Sequence, residues 1–170
     1  MRQLNVTSSS TINATADRVW EVLADDFLDI ALWARDVNSS GDNHSSVSVP
    51  DGAPAGGRFC DVNGLGQVDE RIVHFDSGSH EITWTANSDK LPGFVSGVQN
   101  ALTIDKIDDN TSRVTSNLSA DLSGFLGTIM APMMRRNFSK LVAGFLEDLD
   151  VYAGTGQISK VKQRQLTDMN

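Results

Sequence analysis

Glutamate is scarce in this chain: four residues against eighteen aspartates. Asp, Asn and Ser favour turns and caps over helix interiors, so the imbalance points to strands and loops. Cysteine is scarcer still. Cys60 stands alone, which excludes an internal disulfide and any cysteine-based zinc cluster. The three histidines, His44, His74 and His80, are scattered and form no His-x-x-x-His. Asp25-Asp26-x-x-Asp29 lacks the length and glycine of a calcium loop. No nucleophile elbow and no phosphate loop occurs, and Gly64-Leu65-Gly66 reads as a turn. No metal and no cofactor is therefore expected. Long hydrophobic runs are also missing. The longest uncharged apolar stretch, Leu122 to Met134, holds Gly and Pro and falls short of the ~20 residues a membrane span needs. The opening MRQLNVTSSS has no apolar core of signal-peptide type, and the expected compartment is the cytoplasm. Basic residues are in the minority, 14 against 22 acidic, for a net charge of −8. Such a chain repels polyanions at long range, so no nucleic-acid partner is expected.

What is present fits one soluble domain: 170 residues, 39% hydrophobic and 21% charged. Residues 4–12 carry a strand signal. Asn13 or Thr15 can cap a following helix whose apolar face is Val19, Trp20, Val22 and Leu23. Residues 27–34 suggest a second short helix, and 36–56 are loop-rich with one strand candidate at 45–49. The period then changes to two over 58–62, 67–76, 80–86, 97–106 and 112–121, a run of antiparallel strands. Last comes a stripe at helical spacing: Met130, Met134, Phe138, Leu141, Phe145, Leu149 and Tyr152. It predicts a helix over 124–153, with Pro132 bending it or marking where its regular part begins. The domain is assigned to residues 1–153. Residues 154–170, with Lys160, Lys162 and Arg164 against Asp168, are expected to form a polar, partly disordered tail.

An amphipathic helix must bury its stripe, and only one face of the sheet is large enough to take it. The expected fold is α+β: a curved antiparallel sheet wrapped around the long C-terminal helix, two short helices closing one end, and a cavity between them.

Five stretches carry a resemblance. They are Ile12 to Asp25 with Val19-Trp20 inside it, Trp33 followed by Val37, Gly56-Gly57-Arg58, Val68-Asp69-Glu70-Arg71-Ile72 running to Asp76, and Gly124 to Arg136 with Pro132. In order and spacing they resemble the polyketide cyclase/dehydrase-type family of the START-like (SRPBCC, helix-grip) superfamily, which also holds birch-pollen allergens and plant abscisic-acid receptors. The resemblance spans residues 4–153 and implies the helix-grip fold. It names no reaction, because lipid carriers, hormone receptors and cyclases share that superfamily.

Strand parity selects the side chains that face the cavity. With Glu70 inward, Val68 and Ile72 join it, together with His74 in one reading, while Asp69 and Arg71 turn out. Trp84, then Val98, Asn100 and Leu102, then Ser116 follow on the next strands, with Asn100 and Ser116 polar exceptions on an apolar face. Phe59 and Trp33 are expected to add aromatic wall, and Met130, Met134 and Phe138 to contribute from the helix. Arg58 and Arg71 are expected to face outward. Glu70 is the sharpest candidate for chemistry, because the Glu of the matching motif in the hormone receptors lies in the ligand pocket. Its alternatives are an ion pair with an arginine, a bound water, or a solvent-facing position. Cys60 reads as a structural thiol.

The favoured reading is a binding or carrier module for a small hydrophobic or amphipathic molecule: a lipid, or a polyketide-like or aromatic compound. The rival is a cyclase or dehydratase with Glu70 as acid/base. A third is an interaction module whose cavity is filled by side chains. The expected state is a monomer or weak homodimer.

Overall fold

Residues 1–44 and 48–169 are described by the structure, a computed structural model of the chain. Among these residues, seven strands make one antiparallel sheet in the order β1-β7-β6-β5-β4-β3-β2. They are β1 (Arg2–Ile12), β2 (Val37–Asp42), β3 (Gly57–Val62), β4 (Gly66–Asp76), β5 (Glu81–Asn87), β6 (Val95–Lys106) and β7 (Ser112–Leu122). The alternation read from sequence is the cause. Along β7 every second residue from Ser112 to Leu122 is buried, because successive side chains leave a strand on opposite faces. β1 pairs with β7 over its full length, from Arg2 opposite Leu122 to Ile12 opposite Ser112. The first and last strands are therefore neighbours. Register shifts at Val37/Ser39, Ile72/His74 and Ser96/Gln99 insert bulges, which bend and twist strands.

Between β1 and β2 the chain makes the end plug. Helix α1 (Ala16–Trp20) is capped by Thr15, whose hydroxyl accepts from the Arg18 amide. It runs into a π turn over Glu21–Asp25 and then a 3-10 turn over Phe27–Leu32, shorter and tighter than the expected second helix. Val19, Ala24 and Phe27 are fully buried beneath it. β2 lies in a stretch that reads as loop from sequence. Its bulge and its small polar residues give no period-two signal. Of the strand candidate at 45–49, residues 45–47 lie outside the described residues, and Ser48 and Val49 are not in a strand.

Helix α2 (Gly124–Thr155) runs unbroken through Pro132 and ends at Gly156, which takes the left-handed conformation at φ 71°. It packs over β1 and β7. Its buried face is Gly127, Ala131, Met134, Phe138, Val142, Leu146, Leu149 and Ala153. That face is rotated toward the helix's small residues, which allow close approach to the sheet. Leu141, expected in the stripe, is left 49% exposed.

The far half of α2 is tied to the plug by a buried carboxylate. Asp148 is fully buried and accepts from the Arg35 backbone amide at 2.7 Å, from Arg35 Nε at 2.9 Å and from Arg35 Nη2 at 2.7 Å. Gly144 makes room for this: a Cβ there would meet Arg35 Cδ at 3.0 Å. The Arg35 guanidinium is held well above its ordinary range, chiefly by its hydrogen bond to Asp148. Two residues on, Asp150 accepts from the Asn13 amide at 2.8 Å.

The residues after Gly156, expected as a partly disordered tail, form helix α3 (Lys160–Asp168), capped by the Ser159 hydroxyl accepting from the Lys162 amide. Lys162 is buried, and its ammonium donates to the Val37 carbonyl at 2.6 Å. Gln165 exchanges two hydrogen bonds with Asp36, one to its backbone and one to its side chain. Composition reads the segment as polar and missed this, because one buried lysine end and one glutamine carry the docking.

Asp148→Ala leaves Arg35 without its main partner in a half-buried site. The expected loss is about 3–5 kcal/mol of unfolding free energy, measured by urea denaturation. A loss under about 1 kcal/mol would show that the pair does not hold α2 to the plug.

Candidate functional site

The site starts from strand register. β3 and β4 pair so that Arg58 lies opposite Glu70 and Cys60 opposite Val68. Residues directly opposite in an antiparallel pair share a face. Once Glu70 turns inward, Arg58 and Cys60 must turn inward too, and Phe59 outward. That is the observed arrangement, and it corrects two expectations. Arg58 is buried at 2% exposure, whereas Phe59 is 37% exposed and lies over a shallow polar depression with Asn43, Gln67 and Asp69. Gly57 sets the closeness of the two strands, since a Cβ there would collide with the Glu70 carbonyl oxygen.

A buried guanidinium must be paired and hydrogen-bonded. Arg58 Nε donates to Glu70 Oε2, and Arg58 Nη1 donates to the Phe27 carbonyl of the plug. Its guanidinium carbon lies 3.8 Å from the Phe27 ring centroid and 5.6 Å from that of Trp84, within cation–π range of both. The two rings meet edge to face at 5.8 Å. Cys60 sits beside the pair, its thiol 3.6 Å from Glu70 Oε2. Burial pushes that thiol up to about 12, with Glu70 adding to the rise and Arg58 opposing it. It is a structural thiol, as read from sequence. Glu70 Oε1 accepts no hydrogen bond from the described residues.

The pair lies in the wall of a cavity of about 590 Å³ between sheet and α2. Ile30, Ala34, Arg35 and Val37 come from the plug and the start of β2. Val68, Trp84, Ala86, Val98 and Leu118 come from the sheet, and Phe138, Val142 and Phe145 from α2. Leu65 and Leu91 reach it from two loops, and the exposed Asn87, Asn137, Lys140 and Leu141 form a rim.

Of the residues singled out from sequence, Val68, Glu70, Trp84, Val98, Asn100 and Phe138 line this cavity. Ser116 stands one step behind, its hydroxyl hydrogen-bonded to Asn100 Oδ1 at 2.7 Å, which accounts for both polar exceptions at once. Trp33 is buried behind the cavity against Phe145 at 5.3 Å and Tyr152 at 6.2 Å, so it supports the wall instead of forming it. Ile72 and Leu102 are core residues away from the cavity, and so are Met134 and the partly buried Met130. The bulge after Ile72 decides His74. It shifts parity by one, turning His74 outward beside Glu81 and Phe75 inward onto Trp20 at 5.0 Å. Arg71 is exposed next to Asp69, as expected. Among the described residues no group of His, Cys, Asp and Glu could hold a metal ion.

Comparison with known proteins adds a sequence match and a fold match. The family described as "Polyketide cyclase / dehydrase and lipid transport" matches residues 3–154. A START superfamily protein from Mycobacterium smegmatis superposes with a TM-score of 0.70 at 10% identity, covering 90% of this chain and 99% of that one. Ara h 8.0201 superposes at 0.67 with 11% identity, covering 89% and 98%. A point mutant of norcoclaurine synthase from Thalictrum flavum, solved with a transition-state analogue, superposes at 0.64 with 13% identity, covering 89% and 94%. These identities establish the fold alone. No curated protein matches the sequence.

Two measurements check the site. Arg58→Met and Glu70→Gln should each destabilise the fold, and the double variant should cost less than their sum, with a coupling of about 0.5–3 kcal/mol. Additivity would mean that the two side chains do not interact. Cys60 should react with a disulfide reagent at pH 8 on the order of 10²–10³ more slowly in the folded protein than in urea, because thiolate is the reacting form. Equal rates would contradict its burial.

Proposed function

We propose that this chain, which belongs to the polyketide cyclase/dehydrase and lipid transport family, binds a small hydrophobic or amphipathic molecule in the cavity between its sheet and α2. The observation that carries the reading is the cavity's make-up. About 590 Å³ lies within the usual range for small-molecule sites, and its walls are apolar except for a few placed polar groups. Apolar body and polar head would be read separately. Trp84, Val68, Val98, Leu118, Phe138 and Phe145 offer area to a lipid chain or aromatic ring, each buried CH₂ contributing about 0.8 kcal/mol. Glu70 offers Oε1 as an acceptor for a hydroxyl or amine, with its other oxygen fixed by Arg58. Asn100, held by Ser116, offers a second polar contact.

A second reading, cyclase or dehydratase activity on a polyketide-like or aromatic substrate, rests on the same Glu70 carboxylate facing a shaped apolar cavity. Paired with Arg58 through Oε2, the Glu70 carboxylate keeps Oε1 to accept a hydrogen bond from a substrate hydroxyl. Orientation of a bound chain by the cavity walls would supply the rest of such catalysis.

One experiment addresses both readings. Titration with anilinonaphthalene sulfonate and with a panel of fatty acids and polycyclic phenols should change tryptophan fluorescence, and Trp84→Phe should abolish most of the change. Glu70→Gln should weaken binding of a hydroxylated ligand about 5- to 150-fold, the equivalent of about 1–3 kcal/mol. An enzyme using Glu70 would instead keep its substrate and lose about 10²–10⁴-fold in turnover. No response to any probe, together with no co-purifying small molecule in native mass spectrometry, would remove the binding reading.

A further inference from the structure

Among the described residues, nothing covers the first turns of α2. Phe125 is 80% exposed, Leu126 62%, Ile129 55% and Met133 46%, far above the other large apolar side chains of the helix except Leu141. Phe125, Ile129 and Met133 follow one another at four-residue spacing, and Leu126 lies beside them, so all four share one face. Scattered exposed apolar residues need no account, but four on two adjoining turns form a patch.

Charge along this part of α2 is of one sign. From Leu122 to Leu146 there is no Asp and no Glu, in a chain that carries 22 of them, and the charged residues there are Arg135, Arg136 and Lys140. Arg136 and Lys140 continue the line of Ile129 and Met133 toward the C-terminus. Both are exposed, and neither has an ion-pair partner among the described residues. Arg135 turns aside and donates to the Asn5 carbonyl at 2.9 Å. At 1.5 Å per residue the apolar tip and the two free cations span about 20 Å of one helix face.

We propose that this face of α2 docks on an anionic lipid surface, with Phe125, Leu126, Ile129 and Met133 entering the headgroup–acyl boundary and Arg136 and Lys140 on lipid phosphates. An aromatic and aliphatic stripe continued by Arg and Lys is the make-up of an interfacial helix. The chain as a whole is acidic, at −8, so attraction to a negative surface has to be local. Screening over about 8 Å at physiological salt makes it so, because the distant carboxylates are largely hidden from a surface touching α2. An acidic protein surface would satisfy the two cations but would need a matching pocket for the protruding phenylalanine tip, which a bilayer does not. The position of the face gives it a use. Lys140 belongs both to this face and to the cavity rim, beside Asn137 and Leu141. A molecule too apolar for water could pass between bilayer and cavity without crossing solvent. The docking itself does not depend on what fills the cavity, and the assay below contains no cavity ligand.

Flotation with phosphatidylcholine vesicles containing 30% phosphatidylglycerol tests it. The intact chain should float with these vesicles, should float at least tenfold less with pure phosphatidylcholine, and should be released by raising salt to about 0.5 M. Phe125→Ser/Ile129→Ser should lower vesicle binding at least tenfold. These sites are exposed, and unchanged circular dichroism would show that the fold persists. Arg136→Gln/Lys140→Gln should lower it about fivefold per charge, since each basic residue near an anionic surface is worth roughly that factor. Absence of flotation, or flotation unchanged in both double variants, overturns the proposal. So does sedimentation of the free chain as a dimer that Phe125→Ser/Ile129→Ser converts to a monomer, which would assign the patch to a second copy.

Discussion

A guanidinium at 2% exposure can persist only where acceptors and ring faces surround it, and Arg58 has gathered them from three directions. Glu70 of β4 takes Nε, the Phe27 carbonyl of the 3-10 turn takes Nη1, and the Phe27 and Trp84 rings cover the planar faces. One side chain thus ties β3 and β4 to the plug. It also decides the chemistry beside it. One carboxylate oxygen of Glu70 is fixed by the pair, while burial, which Arg58 opposes, keeps the adjacent Cys60 thiol neutral.

A second buried charge works in the same way at the other end of the cavity wall. Asp148 on α2 holds Arg35, and the next two residues, Asp36 and Val37, receive α3 through Gln165 and Lys162. The family match ends at residue 154, so α3 lies beyond the shared region yet grips residues that line the cavity. Burial pushes the Lys162 ammonium down from its ordinary value, with Asp148 and Asp36 acting against that shift. The two carboxylates that position the plug therefore also make α3's contact tolerable.

Most of the fold was legible in the sequence because it rests on periodicity. The five strands from 58 to 121 and the long helix follow from alternation and from the 3.6 period. The site was legible only in part, and the reason is register. Parity within one strand points Val68, Glu70, Trp84, Val98 and Asn100 to one face, and all five line the cavity. Parity cannot say which residue of β3 faces Glu70, and a slip of one exchanges Arg58 with Phe59. Hydropathy puts the charged residue outward and the phenylalanine inward, and the opposite holds because the arginine finds a carboxylate, a carbonyl and two aromatic rings. The bulge after Ile72 is likewise invisible in a period-two pattern, and it exchanges His74 with Phe75. The stripe of the long helix points to Met130 and Met134 as cavity wall, whereas the cavity lies further along α2, at Phe138 to Phe145.

Gly57 carries a consequence for how this protein tolerates change. It has no side chain to offer a ligand, yet any Cβ at that position would strike the carbonyl of Glu70 and force β3 and β4 apart. Moving β4 moves the carboxylate, and with it the arginine that the carboxylate neutralises. Inheritance at residue 57 is therefore constrained by the site opposite it. A library of variants would find that position among the least permissive in the chain, while the fully functional-looking Phe59 two residues on would accept almost anything that suits an exposed strand.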